Sequence, residues 1–143
     1  MENLNNKKKV LIVDDNNDLT TVLVEKLNFS GFDALGADNG EEGLKKALDF
    51  HPDIILLDLV MPKMGGIDML KKLREDPWGK NARVVILTLM EQVNYMAEAM
   101  ESNILGYLVK TNYSLDEIVQ KIQDILSKLG EAKSNEENKD KIK

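Results

Sequence analysis

The sequence predicts an α/β protein built on a doubly wound, five-stranded parallel sheet. Short apolar runs recur along the chain, and they are continuous rather than alternating, which is typical of parallel strands buried on both faces. A segment with apolar residues at helical spacing follows each run. This alternation of strand and helix implies a parallel sheet covered by helices on both faces and connected by right-handed crossovers.

Five segments are predicted as strands. Four of them are clear because they are rich in β-branched residues and leucine, whereas the second is weaker. The predicted strands are residues 10–13, 32–37, 54–57, 84–87 and 105–109. Of the two common doubly wound strand orders, 2-1-3-4-5 suits a five-stranded chain of this size.

The first three predicted helices carry recognisable signals at their ends. Gly31 is a C-terminal stop signal for the first helix, and Asn39 with Glu42 forms a capping pair at the start of the second. The third helix must end before Pro77, because a residue that precedes proline avoids helical backbone angles. The apolar faces are Leu19, Val22, Leu23 and Leu27, then Leu44, Ala47 and Leu48, then Ile67, Leu70 and Leu73.

The fourth and fifth helices complete the pattern. Ser114 and Glu117 form a capping box ahead of the fifth helix, whose apolar face continues for four turns as far as Leu129. The fourth helix has an apolar face formed by Val93, Met96, Ala97 and Met100. Since the apolar pattern ends at Gly130, we expect a flexible N-terminus over residues 1–7, one folded domain over 8–130 and a disordered polar tail over 131–143.

The composition excludes several classes of function. The chain has 143 residues, of which 43% are hydrophobic; it has no cysteine and a single histidine, His51. Disulfides and thiolate metal sites are therefore excluded, and a histidine-based metal cluster or hydrolase triad is disfavoured. The net charge of −6 argues against nucleic-acid and anionic-membrane partners. No apolar run approaches the ~20 residues of a membrane span, and no secretory signal is visible, so we expect a cytoplasmic protein.

Polar residues end four of the predicted strands at one edge of the sheet. Asp14 and Asp15 follow the first strand, Asp58 follows the third, Thr88 follows the fourth and Lys110 follows the fifth. Carboxylates held close together repel one another, so a cation is expected among them, and oxygen-only ligation suits Mg²⁺. A carboxylate nucleophile, a metal, a lysine and a hydroxyl suit phosphoryl transfer to an acid side chain. Each residue alone has an ordinary alternative; the paired aspartates, for example, could simply cap a helix.

Four segments, taken in order, resemble the response-regulator receiver domains of two-component signalling. They are VLIVDD at 10–15, PDIILLDLVMP at 52–62 with Gly65-Gly66 after it, VVILT at 84–88 and GYLVK at 106–110. The resemblance covers about residues 8–129. It implies the flavodoxin-like (βα)5 fold, whose 2-1-3-4-5 strand order is already familiar from this family and is not deduced independently from the chain length.

The resemblance also implies a role for the acidic residues. Asp58 would accept a phosphoryl group from a phosphohistidine on a sensor histidine kinase or phosphotransfer protein. Asp14, Asp15, Asp58 and the backbone carbonyl of Val60 would hold Mg²⁺. Such a domain is not an enzyme in the usual sense, because it catalyses only its own phosphorylation and autodephosphorylation.

Other residues of the edge match switch positions of the same family. Thr88 would move to bind the phosphoryl oxygen, Lys110 would pair with it, and Tyr107 would swing inward. The face formed by the fourth helix, fifth strand and fifth helix would then carry the change to an unknown downstream protein. Two residues depart from the family pattern: Thr111 stands where a proline after a cis bond is usual, and Leu89 stands where a small residue is usual. We expect Leu89 to act as an access gate to the acceptor.

Alternative functions are kept open by the sequence. A haloacid-dehalogenase-like phosphatase also uses an aspartate nucleophile, but its nucleophile lies on the first strand and its acidic pair comes late. A flavodoxin-like binding module needs a phosphate loop after the first strand, where Asp14 and Asp15 stand instead. A phosphorylation-independent docking domain is suggested by Leu89 and Thr111. No output domain follows the fifth helix, so we expect a stand-alone receiver or an excised part of a larger regulator.

Overall fold

The fold is a single parallel sheet of five strands in the order β2-β1-β3-β4-β5, as predicted. It is seen in a computed structural model that describes the backbone of residues 7–89 and 96–142, and the side chains of residues 7–89 and 96–130. All four strand pairs are parallel. The strands are β1 (Lys9–Val13), β2 (Asp33–Ala37), β3 (Ile54–Leu57), β4 (Val84–Thr88) and β5 (Gly106–Val109). Each lies within one residue of its predicted bounds at either end.

Helices alternate with the strands along the chain. They are α1 (Asn17–Phe29), α2 (Gly40–Phe50), α3 (Gly66–Glu75), α4 (Met96–Met100) and α5 (Leu115–Ile142), with 3-10 turns at Gly79–Asn81 and Lys110–Asn112. The predicted start of the fourth helix, including Val93, lies outside the described residues, as do residues 1–6 of the predicted N-terminal segment. In the part of the chain that is described, no helix is both long and apolar enough to cross a membrane.

The predicted helix-end signals are confirmed. Asn39 Oδ1 accepts the Glu42 backbone N–H at 2.9 Å at the start of α2. At the start of α5, the Ser114 backbone N–H donates to Glu117 Oε1 at 2.9 Å, and the Glu117 N–H donates to Ser114 Oγ at 3.2 Å. Gly31 has a φ of +97° just beyond α1, a conformation that ends a helix and favours glycine.

Helix α5 is longer than predicted. The helical backbone continues to Ile142, beyond Gly130, while the domain boundary at Gly130 and the disorder of the tail stay predictions. A glycine inside a helix costs only about 1 kcal/mol, and glutamate and lysine, which are abundant over 131–143, are good helix formers. The apolar face therefore ends before the helical backbone does. The face needs a packing partner, whereas the backbone needs only sufficient helix propensity.

Two apolar layers cover the two faces of the sheet. Alternate residues of β1, β3 and β4 face opposite layers, which explains why these strands are apolar throughout. On one face Leu11, Val13, Ile55, Leu57, Val84 and Ile86 pack with α2, α3 and α4, and on the other Val10, Ile12, Ile54, Leu56, Val85 and Leu87 pack with α1 and α5. With both faces covered, the carboxyl edge of the strands is where polar chemistry can be exposed.

Candidate functional site

The carboxyl ends of β1 and β3 bring three carboxylates together. Asp14 and Asp15 follow β1, and Asp58 follows β3, where its backbone N–H donates to the Val13 carbonyl at 2.9 Å. One carboxylate oxygen of each aspartate lies within 4.8 Å of the others. Asp14 and Asp58 are buried, whereas Asp15 is exposed. The acidic cluster predicted from the sequence is therefore formed by the fold.

The position of Asp14 is fixed by its neighbours in the chain. Its Oδ1 accepts the Asn16 backbone N–H at 2.9 Å, and its backbone carbonyl accepts the Thr20 hydroxyl at 3.1 Å. Asn16 also caps α1, since its Oδ1 accepts the Leu19 N–H at 3.1 Å. The alternative in which the paired aspartates cap the helix is therefore wrong. Sequence reasoning missed both supporting residues, although an asparagine directly before a helix is itself a cap signal.

Lys110 reaches the cluster from the turn after β5. Its Nζ lies 2.7 Å from Asp14 Oδ2 and 3.5 Å from Asp58 Oδ2. Among the described residues no hydrogen-bond donor is aligned with the buried Asp14 Oδ2, so its contact with Lys110 is ionic rather than a well-formed hydrogen bond. Within the described ranges no peptide bond is cis, and the Lys110–Thr111 bond is therefore trans. A lysine in a trans-bonded turn can thus still pair with two of the three carboxylates.

The surroundings of Asp58 disfavour its charged form. Its pKa is raised from 3.8 to about 6, chiefly because burial removes water from the charged carboxylate and secondly because Asp14 is negatively charged. Lys110 and the Val60 backbone N–H, which lies 3.5 Å from Asp58 Oδ1, lower the pKa in opposition. One ammonium group therefore does not compensate three clustered carboxylates.

This donor set fits a hard divalent cation. The grouped atoms are all oxygens, two of the three aspartates are buried, and the third is exposed towards solvent. Mg²⁺ prefers oxygen ligands, takes one or two carboxylates, and keeps waters or phosphate oxygens in its remaining positions. The raised pKa of Asp58 indicates a site that is short of positive charge, although the Lys110 ammonium lies against Asp14 and Asp58.

The remaining predicted residues lie around this cluster. Thr88 is buried at the end of β4, the strand next to β3, and its hydroxyl donates to the Leu89 backbone carbonyl at 3.1 Å. Leu89 is half-buried directly after it. Tyr107 is 54% exposed on the edge strand β5, so its ring lies at the surface. Val60 is exposed in the loop between β3 and α3.

Comparisons with known proteins agree with this geometry. The family model described as "Response regulator receiver domain" matches residues 10–123. The chain is 34% identical over 105 residues to the chemotaxis protein CheY of Thermotoga maritima, covering 72% of this chain and 85% of that protein. The structure of the chemotaxis response regulator CheY4 of Vibrio cholerae superposes with a TM-score of 0.75 at 27% identity, covering 83% of this chain and 98% of the other.

A further solved structure is a CheX–CheY complex with BeF3 and Mg²⁺ from Borrelia burgdorferi. It matches with a TM-score of 0.71 at 28% identity, covering 83% of this chain and 89% of that one. Several curated relatives are much longer than this chain, which spans 52% of one and 28% of another. The matches therefore concern this one domain of those proteins.

Proposed function

The chain belongs to the response regulator receiver family, and on that premise we propose that it is a phosphorylation-activated switch of two-component signalling. Asp58 accepts a phosphoryl group from a phosphohistidine on a sensor histidine kinase or phosphotransfer protein, and the domain passes the signal on by a change of shape. The observation that carries this proposal is the grouping of Asp14, Asp15 and Asp58 within 4.8 Å of one another, with the Lys110 ammonium against two of them.

Asp14, Asp15, Asp58 and the Val60 backbone carbonyl would hold Mg²⁺. When bound, the ion supplies positive charge that stabilises the oxygens of the transferring phosphoryl group. The likeness to the Borrelia burgdorferi CheY complex, which contains BeF3 and Mg²⁺, supports a metal at this edge of the sheet. The charge shortage at Asp58 supports it independently.

The residues of the chain then perform a simple transfer. An Asp58 carboxylate oxygen forms a bond to phosphorus while the phosphorus–nitrogen bond of the donor breaks, and the imidazole nitrogen keeps the electron pair. Asp58 must be ionised for this step, which the ammonium of Lys110 favours. Lys110 then pairs with the phosphoryl oxygens. The Thr88 hydroxyl stops donating its hydrogen bond to the Leu89 carbonyl and donates to one of these oxygens instead. The chain turns over no separate substrate, so its chemistry is limited to phosphorylation of its own Asp58 and hydrolysis of the resulting acyl phosphate.

The output surface in this proposal is the face formed by α4, β5 and α5. Met100, Leu105 and Tyr107 are 64%, 48% and 54% exposed there. Leu105 and Tyr107 line the same surface groove, and grouped exposed apolar side chains are typical of protein contact surfaces. Inward movement of Tyr107 would change this patch when Thr88 moves. The partner is an unknown protein rather than nucleic acid or membrane, and the switch operates in the cytoplasm.

Intact-mass analysis and ³¹P NMR after incubation with Mg²⁺ and acetyl phosphate test the proposal. We expect one phosphoryl group per chain, none in the presence of EDTA and none on Asp58→Asn. A matched control is Asp53→Asn, since Asp53 lies just before β3 at the opposite edge of the sheet and should leave labelling unchanged. Full labelling of Asp58→Asn would contradict the assignment of the acceptor.

A phosphorylation-independent docking domain is the second candidate. Leu89, which is half-buried beside Thr88, favours it because a bulky side chain there can obstruct the acceptor. Wild-type protein that binds Mg²⁺ but takes up no phosphate from either acetyl phosphate or phosphoramidate would favour this candidate. Steady turnover of p-nitrophenyl phosphate would instead favour the haloacid-dehalogenase-like alternative.

A further inference from the structure

The loop between β3 and α3 is attached to the start of α2 through Met64, which lies two residues before α3. The Gly40 backbone N–H donates to the Met64 carbonyl at 2.9 Å. Gly40 is the first residue of α2, and N–H groups in the first turn of a helix have no partner within that helix. The loop therefore satisfies one of these donors, and α2 in turn restrains the loop.

Gly40 is adapted to this contact rather than to the helix. A Cβ at this position would clash with the Met64 carbonyl oxygen and would lie 2.9 Å from the Met64 carbonyl carbon. The backbone of Gly40 does not have the positive φ that demands glycine. Glycine also costs about 1 kcal/mol relative to alanine inside a helix. The missing side chain is therefore explained by the close approach of the loop.

The same loop borders the acceptor carboxylate. The Val60 N–H lies 3.5 Å from Asp58 Oδ1. At the neck of the loop the Gly66 N–H donates to the Leu59 carbonyl at 2.9 Å, and a Cβ on Gly66 would clash with the Asp58 carbonyl oxygen. The loop is thus fixed at Leu59 by Gly66 and at Met64 by Gly40, and Val60 lies between Leu59 and Met64 in the chain.

We propose that Gly40 is a positioning residue for the metal site. The inference rests on the proposed function, in which the Val60 carbonyl is a Mg²⁺ ligand. By holding the Met64 carbonyl against α2, Gly40 restricts the loop that carries Val60, so that this ligand is ordered before the ion arrives. Preorganised groups bind more tightly because less conformational freedom is lost on binding. Displacing Met64 from α2 therefore weakens Mg²⁺ binding although every ligand is retained.

The test compares Mg²⁺ affinity in wild type, Gly40→Ala and Gly79→Ala. Gly79 is a matched control because a Cβ there would also clash with a backbone carbonyl, that of Leu73, but in the turn before β4 at the opposite edge of the sheet. Isothermal titration calorimetry gives the Kd for Mg²⁺, and thermal melts in EDTA give the stability without metal. We expect Gly40→Ala to raise the Kd at least about tenfold, as loss of residues that orient metal ligands typically does.

Gly79→Ala should lower the melting temperature and leave the Kd unchanged. A wild-type Kd in Gly40→Ala, or an equal rise in both variants, overturns the inference while leaving the proposed function intact. Failure of the wild-type protein to bind Mg²⁺ contradicts the proposed function itself. The two failures are therefore distinguishable.

A second measurement on wild-type protein decides the matter if Gly40→Ala does not fold. Amide hydrogen exchange followed by NMR, with and without Mg²⁺, reports the Gly40 N–H that bonds the Met64 carbonyl. We expect Mg²⁺ to slow exchange at Gly40 more than at Gly43, whose N–H donates to the Asn39 carbonyl within the cap of α2. Equal slowing at the two amides, or none at Gly40, overturns the proposed coupling between the Gly40–Met64 contact and metal binding.

Discussion

The charged form of Asp58 is disfavoured in the folded protein, since burial and the neighbouring Asp14 raise its pKa to about 6. Asp14 is equally buried, but it has the Lys110 ammonium at 2.7 Å and an N–H from Asn16, whereas Asp58 is 3.5 Å from the same ammonium. The positions of these residues in the sequence predicted the cluster. They could not predict the raised pKa of Asp58, because it depends chiefly on how deeply the folded chain buries this carboxylate and secondly on how close Asp14 lies.

Asp58→Asn should stabilise the metal-free protein at neutral pH. The pKa of Asp58 is about 6 when folded against 3.8 for an ordinary aspartate, so the folded state holds the proton more tightly than the unfolded state. Stability from this group is fully present below pH 3.8 and is lost as the pH rises through 6. Asparagine does not titrate. Its advantage should therefore grow across this window to about 1–3 kcal/mol near pH 7.5.

Urea unfolding in EDTA, followed by Trp78 fluorescence at several pH values, measures this difference. Asp49→Asn, at an exposed position near the end of α2, is the control and should show no comparable pH dependence. An Asp58→Asn advantage that is the same at pH 4 and pH 7.5 would mean that charge burial is not its cause.

Leu89 should slow both gain and loss of phosphate. It directly follows Thr88, which ends the strand beside the acceptor strand. A bulky side chain there narrows the in-line approach of a donor or water. Misplacing reacting groups by about 1 Å can cost 10²-fold in rate. We expect Leu89→Ala to speed phosphorylation by acetyl phosphate and dephosphorylation in stopped-flow assays at equal Mg²⁺, by up to about 10²-fold.

Leu89→Met is the matched control for size, since methionine has a similar volume and should retain slow kinetics. Equal rates in wild type, Leu89→Ala and Leu89→Met would indicate that this side chain points away from the approach path. The gate would then be ruled out, and the departure from the family pattern would have no kinetic role.

Secondary-structure elements were predicted best where local chemistry and tertiary packing agree. The Ser114–Glu117 capping box fixes the start of α5 through two hydrogen bonds between residues three apart in the chain. The continuous apolar runs gave the strands, because a strand buried on both faces has no polar position to interrupt it. The end of α5 could not be predicted from the apolar pattern, because beyond Gly130 the helical backbone continues without apolar periodicity.

Truncation after Gly130 should change the free energy of unfolding by less than about 1 kcal/mol. Among the side chains of α5 that the structure describes, the last apolar one that packs against the core is Leu129, and the sequence of 131–143 is almost wholly polar. Burial of apolar area, rather than helix length, supplies most helix stability in proteins. Urea unfolding of the full chain and of the truncated chain measures the difference.

A second truncation, which ends the chain earlier, after Ser127, is the control for this experiment. It removes Leu129 and should cost about 1 kcal/mol or more, because a fully buried leucine contributes about 1.5–3 kcal/mol and Leu129 is partly buried. If removing residues 131–143 alone costs as much as removing Leu129, the final segment contributes to the stability of the domain.

On the scale of the whole molecule, the site is a consequence of strand order. Placing β3 beside β1 brings Asp14 and Asp58, which are more than forty positions apart in the chain, to one edge of the sheet. The pattern of strands and helices predicted a parallel sheet, but the 2-1-3-4-5 order came from the family resemblance. The backbone contact between Gly40 and Met64 was not predicted, because no residue type indicates a backbone hydrogen bond between the first residue of a helix and a distant loop.

Mg²⁺ should therefore stabilise the whole domain by linkage. An ion that binds the folded but not the unfolded chain raises the free energy of unfolding by RT ln(1 + [Mg²⁺]/Kd), about 2.7 kcal/mol at one hundred times the Kd. The clustered carboxylates at the ends of β1 and β3 exist only when the sheet is formed, so the unfolded chain has no equivalent site. Thermal melts of wild type and Asp58→Asn across a Mg²⁺ series should show a rising melting temperature in wild type and a much smaller rise in the variant.

Because the chain has a net charge of −6, added salt also screens general repulsion, and KCl at matched ionic strength is the necessary control. If KCl reproduces the wild-type shift, or if the variant responds as fully as wild type, the stabilisation does not arise from a metal bound at Asp58.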